Sequence, residues 1–239
     1  MKMKTVLTST KLWAIIPAAG SGRRFSQTEL KQYQTILNKT VLEHSVARLN
    51  QLPLQGYVLA ISPDDDLAKK LALSHPERTH FCHGGVERVD SVFNALQYLL
   101  SVADEQDYVL VHDAARPCVA KESLETLVEY AVIHQTSAIL ATPVRDTLKK
   151  VGGQKAIQHT VDREGLWQAQ TPQIAQIGVL KQAIEQALAA RATITDEASA
   201  LEFIGQSVAV VMGRSDNIKI TYSEDLTLAK LILTAQMAD

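Results

Sequence analysis

Three cations accompany a glycine-rich loop near the start of the chain, in the stretch IIPAAGSGRRFSQTELKQY (15–33). The small residues of this loop leave space for backbone N–H groups to approach a ligand closely. Arg23, Arg24 and Lys31 supply positive charge beside the loop. Small residues and cations in this arrangement predict a polyphosphate site. The loop residues of this predicted site are Ala18, Ala19, Gly20 and Gly22.

The spacing of the glycines argues against two common phosphate-binding motifs. The G-x-x-x-x-G-K-[ST] pattern of a Walker A loop is absent. A dinucleotide fingerprint is also absent, because Gly20 and Gly22 are followed by Arg23, Arg24 and Phe25 without a third glycine. Taken alone, the stretch leaves open a plain tight turn with solvated arginines.

Further polar motifs stand at the ends of later apolar runs. HGGVERVDSV (83–92) contains two adjacent glycines, against which a flat base can lie. VHDAARPCV (111–119) contributes a carboxylate, two small residues and an arginine. The remaining motifs are PVRDT (143–147), TVDREGLWQAQTPQ (160–173), TDEASALE (195–202) and DNIKIT (216–221).

Short apolar runs alternate with segments of helical periodicity, and this alternation predicts an α/β fold. A mainly parallel sheet with helices on both faces is the expected architecture. Ligands of such sheets lie beyond the carboxyl ends of the strands, so we expect the chemistry at 17–22, 83–88 and 112–117. The predicted strands are 12–18, 56–62, 79–83, 107–113, 137–144 and 207–213. The predicted helices are 41–52, 65–73, 88–102 and 121–134.

Residues 142–172 break this alternation and predict a protruding β-hairpin arm. Gly152-Gly153 is its expected tight turn, and polar and apolar residues alternate in 156–161. The arm has too little apolar content to anchor it on the core, so we expect it to pack on another subunit. We predict one domain over 1–239 that carries this arm.

Composition sets limits on size, compartment and partners. The 239 residues, 46% of them hydrophobic, suffice for one sizeable core. A net charge of -2 argues against general nucleic-acid or membrane-surface binding. No apolar run approaches the roughly 18 residues needed to span a bilayer, and Cys82 and Cys118 are too few for a disulfide framework or a zinc site. We therefore predict a soluble, cytoplasmic protein.

Taken in order, the motifs resemble those of the 2-C-methyl-D-erythritol 4-phosphate cytidylyltransferase family, from about residue 12 to residue 231. The order is highly specific, although each single motif is not. One departure is Leu30, where the family usually has proline before the Lys-Gln-Tyr triplet. This departure changes the rigidity of the loop and leaves the charge of Lys31 in place.

The resemblance implies a Rossmann-like nucleotidyltransferase fold and a homodimer formed through the arm. The implied reaction transfers a cytidylyl group from CTP to 2-C-methyl-D-erythritol 4-phosphate and releases pyrophosphate, within isopentenyl diphosphate biosynthesis. Mg²⁺ or another divalent cation is the implied cofactor, held mainly by the CTP phosphates.

The resemblance also implies roles for individual residues. Arg24 and Lys31 match the pair that stabilises the pentavalent transition state, and Arg163 and Lys219 match residues that position the acceptor phosphate. Gly22 and Arg23 match triphosphate contacts, and the base and ribose contacts match Ala18, Gly85, Val86 and Ser91. The other implied substrate-site residues are Arg88, Asp113, Ala114, Arg116, Thr147 and Thr171.

Several roles stay open at this point. Asp113 is either a Mg²⁺ ligand, a substrate contact or the cap of a turn, and Arg88 is either a site residue or a surface charge paired with Glu87. The resemblance does not decide which of Arg116, Thr147, Arg163 and Thr171 serve the partner's site. We expect His112 to be a satisfied core histidine, Asp196 and Glu197 to be helix-start carboxylates, and Tyr33 and Trp167 to be packing residues.

Three other functions compete with this one. A ribitol 5-phosphate cytidylyltransferase shares much of the loop, but HDAARP and the TVDREGLW arm fit the methylerythritol enzyme better. A non-catalytic relative is expected to have lost Arg24 or Lys31, and both are present. A nicotinamide oxidoreductase is disfavoured by the missing third glycine.

Overall fold

The computed structural model describes residues 10–20, 25 and 30–238, which form eleven strands and six α-helices. The strands are β1 (Leu12–Pro17), β2 (Thr35–Ile36), β3 (Lys39–Thr40), β4 (Leu54–Ile61), β5 (Thr79–His83), β6 (Tyr108–Val111), β7 (Ser137–Pro143), β8 (Leu148–Val151), β9 (Ile157–Val161), β10 (Trp167–Gln176) and β11 (Val208–Met212). The helices are α1 (Val41–Leu49), α2 (Arg88–Leu99), α3 (Lys121–His134), α4 (Ile177–Ala189), α5 (Glu197–Phe203) and α6 (Asp225–Ala235).

Seven of these strands form one sheet, in the order β5-β4-β1-β6-β10-β7-β11. Within this sheet β10 runs antiparallel to both of its neighbours, β6 and β7, and the other adjacent pairs are parallel. From β1 the chain first extends the sheet through β4 and β5, and it then returns to the other side of β1 with β6. The predicted α/β fold with a mainly parallel sheet is confirmed.

Helices cover both faces of the sheet, as predicted. Because successive side chains of a strand point to opposite faces, β1 contributes to two cores. Trp13 and Ile15 pack with apolar residues of α2 and α4, whereas Ala14 and Ile16 belong to the cluster that includes α1 and α3. The apolar run of β1 is buried on both sides, which is typical of an inner strand of a parallel sheet.

The six predicted strands of the large sheet agree with the structure to within two residues at each end. Helix α3 has the predicted bounds, and α1 and α2 end three residues earlier than predicted. The helix prediction omitted α4 and α6, although buried Ile177, Leu180 and Ile184 give α4 a helical period. None of the helices in the described part of the chain is both long enough and apolar enough to cross a membrane.

The predicted helix over 65–73 is wrong. The structure contains only a short 3₁₀ turn there, Ala68–Lys70. The Asp65 Oδ1 atom accepts hydrogen bonds from the Leu67 and Ala68 N–H groups, at 3.1 and 3.2 Å. A side chain that binds nearby backbone N–H groups in this way offers the backbone an alternative to the helix.

The arm, residues 142–172, contains the predicted hairpin, in which β8 and β9 pair antiparallel. Its connection is longer than predicted, since residues 152–156 join the strands and the Gly152 N–H donates to the Ala156 carbonyl at 3.0 Å. Lys155, rather than either glycine, adopts the positive φ of this loop, 58°. Most residues of β8 and β9 are exposed, in agreement with an arm that has little core of its own.

Strand β10 belongs to both the arm and the sheet. Its first residues, Trp167 to Ala169, pair with β7 at the base of the arm. Its last residues, Gln173 to Gln176, pair with β6 in the middle of the sheet. The register shifts between these two parts, where Thr171 and a cis Thr171–Pro172 peptide bond lie. The same strand therefore connects the arm to the residues that follow β6.

Candidate active site

A cleft of about 270 Å³ lies beyond the carboxyl ends of β1 and β6. These strands are neighbours at the point where the order of the sheet reverses, which is where open α/β sheets bind their ligands. Ten of the residues predicted from the sequence line this one cleft: Ala18, Gly20, Lys31, Gly85, Val86, Arg88, Ser91, Asp113, Ala114 and Lys219.

The segment that leaves β1 is held in place from two sides. The Ala18 N–H donates to the Ala60 carbonyl at 2.8 Å, and the Ala18 carbonyl accepts from the Gln32 side chain at 3.0 Å. Gln32 is buried and belongs to the same short 3₁₀ turn as Lys31, whose ammonium donates to the Ile220 carbonyl at 3.1 Å. Gln32 was not predicted as a site residue, because a glutamine beside a lysine has no specific sequence signal.

Three residues of the predicted phosphate loop lie outside the described residues: Gly22, Arg23 and Arg24. Their roles at the triphosphate and in the transition state stay predictions.

The two glycines after β5 have a packing reason to be glycine. A Cβ on Gly84 would overlap the Ala19 side chain, and a Cβ on Gly85 would overlap Asp90 in the first turn of α2. The Gly85 N–H donates to the buried Ser91 hydroxyl oxygen at 3.0 Å. Ser91 thus fixes the backbone of the glycine pair, in addition to lining the cleft.

Asp113 lies at the centre of five charged side chains, which we call the charge cluster: Arg88, Asp113, Arg116, Glu197 and Lys219. The Asp113 Oδ1 atom accepts from Arg88 Nε at 3.0 Å. The Oδ2 atom lies 2.8 Å from Lys219 Nζ and 3.5 Å from Arg116 Nε. Both oxygens of a carboxylate that is only 9% exposed therefore face cations.

Glu197 is the second carboxylate of the charge cluster, and its role was missed from the sequence. Its Oε1 and Oε2 atoms accept from the Arg88 Nη1 and Nη2 atoms, at 2.6 and 3.0 Å. Glu197 stands at the start of α5, as predicted, but it is 3% exposed and paired rather than solvated. Arg88 therefore lies at the cleft and pairs with Glu197 and Asp113, rather than with Glu87 at the surface, and its contact with substrate stays a prediction.

Strand β10 anchors the start of α5. Asp196 caps this helix, since its Oδ1 atom accepts from the Ser199 N–H at 3.0 Å, and its Oδ2 atom accepts from Gln173 at 2.9 Å. The Gln173 side-chain oxygen in turn accepts from the Ala198 N–H at 2.9 Å. These contacts hold Glu197 at a fixed position opposite Arg88 and confirm the helix-start role predicted for Asp196.

The pKa directions in the charge cluster agree with this geometry. Burial raises the pKa of Asp113, but Arg88, Lys219 and Arg116 outweigh it and hold the pKa well below its usual range. Burial also opposes the charge of Arg88, and Glu197 and Asp113 outweigh it and raise the pKa of the guanidinium. The charged forms of Arg88 and Asp113 therefore prevail at neutral pH.

His112, which follows β6 directly, is fully buried and hydrogen bonded through both ring nitrogens, as predicted for a core histidine. Thr171 is also buried, and its hydroxyl contacts both His112 and the Asp113 N–H. Arg116 and Thr171 thus lie beside the Asp113 of their own chain. By contrast, Thr147 and Arg163 are exposed on the arm, where the Arg163 guanidinium donates to the Arg145 carbonyl.

The surroundings of Asp113 do not fit the predicted metal-ligand role. Its two oxygens already face three cations, whereas a magnesium ligand needs an oxygen free to coordinate. Within residues 10–20, 25 and 30–238, no three His, Cys, Asp or Glu side chains are grouped as a metal site. The contacts show a further role that was not among the predicted ones, in which Asp113 holds three neighbouring cations in place, and its contact with substrate stays a prediction.

A family model for 2-C-methyl-D-erythritol 4-phosphate cytidylyltransferase (IspD) matches residues 12–235. The chain belongs to this family. It is 66% identical over 229 residues to the family member of Acinetobacter baumannii (strain SDF), with 96% of each chain covered.

Solved structures of cytidylyltransferases agree in fold. A crystal structure of a 4-diphosphocytidyl-2C-methyl-D-erythritol synthase superposes with a TM-score of 0.82 at 39% identity, covering 94% of this chain and 99% of that one. The cytidylyltransferase (IspD) of Francisella tularensis superposes with a TM-score of 0.80 at 35% identity, covering 93% and 100%. The predicted nucleotidyltransferase fold and family are confirmed.

Membership of the cytidylyltransferase family decides among the competing functions. It makes the chain a nucleotidyltransferase of isoprenoid biosynthesis, and it favours neither a ribitol 5-phosphate enzyme nor a non-catalytic relative. Leu30, the departure from the family pattern, has an extended backbone with φ −82° and precedes the turn that carries Lys31. This φ lies close to the range around −65° that proline adopts.

Proposed function

We propose that this chain transfers the cytidylyl group of CTP to 2-C-methyl-D-erythritol 4-phosphate, the activity for which its family is named. Family membership over residues 12–235 supports the reaction. The observation that carries the assignment of the site is the single cleft that contains ten predicted residues. It combines a glycine-walled side with a cationic side, as a nucleoside triphosphate requires.

The acceptor phosphate needs no general base. The second pKa of a phosphate monoester is about 6, so the acceptor is largely dianionic at neutral pH. Catalysis then consists of aligning two anions and stabilising the charge that develops on the α-phosphate. Lys31, at the cleft, and Arg24 are the proposed cations for that charge, each contributing on the order of 3 kcal/mol to transition-state stabilisation.

The glycine-walled side of the cleft is the proposed base and ribose site. Gly85 and Ala18 leave backbone groups accessible, and cytosine offers an amino donor and a carbonyl acceptor to such groups. Ser91 keeps the Gly85 backbone in place through its 3.0 Å hydrogen bond. Val86 is 96% exposed at the same edge, where it is available to contact the nucleotide.

Lys219 and Arg163 are the proposed contacts of the acceptor phosphate. The Lys219 ammonium lies at the cleft, 2.8 Å from Asp113 Oδ2, so Asp113 fixes its direction before the substrate enters. Arg163 is exposed on the arm and is not among the residues that line the cleft of its own chain. We therefore propose that Arg163, together with Thr147, reaches the cleft of a partner subunit.

A homodimer through the arm is supported by apolar side chains that the arm leaves exposed. Trp167, predicted to be a packing residue, is 42% exposed, and Ile157 and Val151 are 63% and 49% exposed. An exposed apolar surface of this kind commonly marks a protein–protein contact. Mg²⁺ or another divalent cation is proposed to enter with the CTP phosphates, and the cytoplasmic location stays a prediction.

The test is pyrophosphate release in the presence of Mg²⁺ and CTP, with 2-C-methyl-D-erythritol 4-phosphate or ribitol 5-phosphate as the acceptor. We expect turnover with the first acceptor alone. The Lys31→Ala variant should lose about a hundredfold or more in kcat with little change in CTP affinity. Lys181→Ala, which removes a partly exposed lysine of α4 that is paired with Glu185 outside the cleft, is the matched control and should retain turnover.

Turnover only with ribitol 5-phosphate would contradict the proposed acceptor. Binding of CTP without turnover of either acceptor would contradict catalysis itself.

A further inference from the structure

His112 and Thr171 connect strand β10 to the loop that follows β6 through three hydrogen bonds. The Asp113 N–H donates to Thr171 Oγ1 at 3.0 Å. The same Oγ1 atom lies 3.0 Å from His112 Nδ1, and His112 Nε2 lies 2.9 Å from the Arg116 carbonyl oxygen. The chain of contacts thus begins at the backbone of Asp113 and ends at the backbone of Arg116.

Chemistry fixes the direction of each of these hydrogen bonds. A carbonyl oxygen only accepts, so His112 Nε2 must carry a proton. Burial lowers the pKa of His112 to about 4, so the ring is neutral at pH 7 and its Nδ1 atom carries no proton. Nδ1 must then accept from the Thr171 hydroxyl, which leaves the Thr171 oxygen as the acceptor for the Asp113 N–H. The protonation of His112 therefore determines which group donates and which accepts in all three hydrogen bonds.

The two ends of this chain are the two backbone groups that bracket the Asp113–Arg116 segment. The Arg116 guanidinium donates further to the Asn217 carbonyl at 2.7 Å, and the Asn217 amide donates to the Thr171 carbonyl at 2.9 Å. Asn217 stands two residues before Lys219 in the chain. Two members of the charge cluster, Asp113 and Arg116, are therefore oriented by contacts that converge on Thr171.

We infer that His112 and Thr171 are positioning residues, which hold the Asp113–Arg116 loop against the arm strand by a hydrogen-bond chain with a single tautomer of His112. This inference rests on the proposed function for its kinetic consequence. Thr171 is 5% exposed and uses both its donor and an acceptor site inside the protein. Through these contacts it positions the backbone of Asp113 and, by way of His112, that of Arg116.

The kinetic test compares Thr171→Val, which keeps the shape and removes the hydroxyl, with Thr171→Ser, which restores it. We expect kcat to fall about 10- to 100-fold in Thr171→Val and to recover most of the wild-type value in Thr171→Ser. Thr142→Val removes a buried threonine hydroxyl from the neighbouring strand β7 and serves as the matched control. Wild-type kcat in Thr171→Val would overturn the inference.

A spectroscopic test does not depend on activity. Nitrogen NMR of the full-length protein labelled with ¹⁵N-histidine reports which ring nitrogen carries the proton. We expect His112 to show a protonated Nε2 and a bare Nδ1 in the wild type and in Thr171→Ser, and a changed Nδ1 signal in Thr171→Val. A protonated Nδ1 in the wild type would overturn the inference.

The two tests separate the inference from the function on which it rests. An enzyme that turns over neither acceptor, but has the expected tautomer, would contradict the proposed function and leave the hydrogen-bond chain intact. If the Thr171→Val variant fails to fold, the spectrum of the wild type still tests the inference. A proton on His112 Nε2 agrees with the proposed hydrogen bonds, and a proton on Nδ1 contradicts them.

Discussion

The charge cluster and the arm both carry residues predicted to contact the acceptor phosphate, yet they hold these residues by different means. In the charge cluster, Asp113 and Glu197 are 9% and 3% exposed, and their oxygens face neighbouring cations of the same chain. In the arm, Arg163 is exposed and contacts a single backbone carbonyl. The first region is organised before substrate binds, whereas Arg163 has no buried ion pair of this kind among the described residues, and its proposed role depends on a partner subunit.

This difference predicts that substitutions in the charge cluster reduce both stability and activity, while substitutions in the arm reduce activity alone. The free energy of unfolding, measured with urea, separates the two outcomes.

Asp113→Ala should have the largest effect, a loss of about 3–5 kcal/mol. It leaves Arg88, Arg116 and Lys219 close together without the carboxylate that all three face. Asp64→Ala, at an exposed position, is the control and should change stability by less than about 0.5 kcal/mol. Equal stability of the two variants would show that Asp113 does not organise the cluster.

Acidification should lower the free energy of unfolding by about 2–4 kcal/mol through His112. Its folded pKa is lowered to about 4, below the value of about 6.5 expected in the unfolded chain. The unfolded state therefore binds more protons between these values, and stability falls as the pH decreases from about 6.5 to about 4.

Urea unfolding at several pH values checks this window. His112→Gln should flatten the pH dependence, and His159→Gln on the exposed arm should leave it as in the wild type. The same dependence in His112→Gln and in the wild type would assign the effect to other groups.

Glu197→Gln should cost about 2 kcal/mol, which is typical of hydrogen bonds to charged groups. The amide keeps one acceptor for Arg88 and removes the charge that Arg88 faces at 2.6 Å. Glu202→Gln, an exposed change on the same helix, is the matched control. A stability equal to that of the control would mean that Glu197 is dispensable for the cluster.

Arg163→Ala should have the smallest effect on stability, below about 0.5 kcal/mol, because its side chain is exposed. Turnover should nevertheless fall about tenfold or more, since the acceptor phosphate loses one of its two proposed cations. Lys150→Ala, also exposed on the arm, is the control for both measurements.

Mixed dimers sharpen this last prediction. If Arg163 serves the partner's cleft, a dimer of one Arg163→Ala and one Lys219→Ala subunit contains one intact site. Mixing the two impaired proteins should then give more activity than the average of the two separate proteins. Absence of recovery in verified mixed dimers would place Arg163 in the cleft of its own subunit.

Much of the fold follows from the sequence because it depends on local patterns. The apolar run Leu12–Pro17 and the helical period of Lys121–His134 determine β1 and α3 with little help from the rest of the chain. The segment 65–73 has a similar apolar spacing, but the Asp65 side chain captures the N–H groups that a helix would need. The periodicity of apolar residues alone does not show where a side chain will bind backbone N–H groups and so prevent a helix.

The sequence predicted which motifs contribute to the site, but it did not predict which of their side chains pair with one another. The strand exit after β6 predicted Asp113, since polar residues there face a ligand in open sheets. Lys31 was predicted from its place beside the glycine-rich loop, and Lys219 from the family resemblance. The pairing of Arg88 with Glu197 joins residues that are 109 positions apart, and no local pattern in either segment indicates it. The buried contacts of Thr171 with His112 and Asp113 were also not predicted. Thr171 belongs to the predicted arm, and residues of an arm are expected to lie outside the core of their own chain.

The antiparallel strand in the middle of the sheet also affects the order in which the chain can fold. Strands β6 and β7 are adjacent in sequence, yet they do not pair, because β10 lies between them. During synthesis, β5-β4-β1-β6 can form a half-sheet early, whereas β7 has no place beside it until residues 167–176 have emerged. Closure of the sheet and completion of the Asp113 loop are therefore the same late event, so a nascent chain acquires its catalytic geometry only when the strand from the arm is inserted.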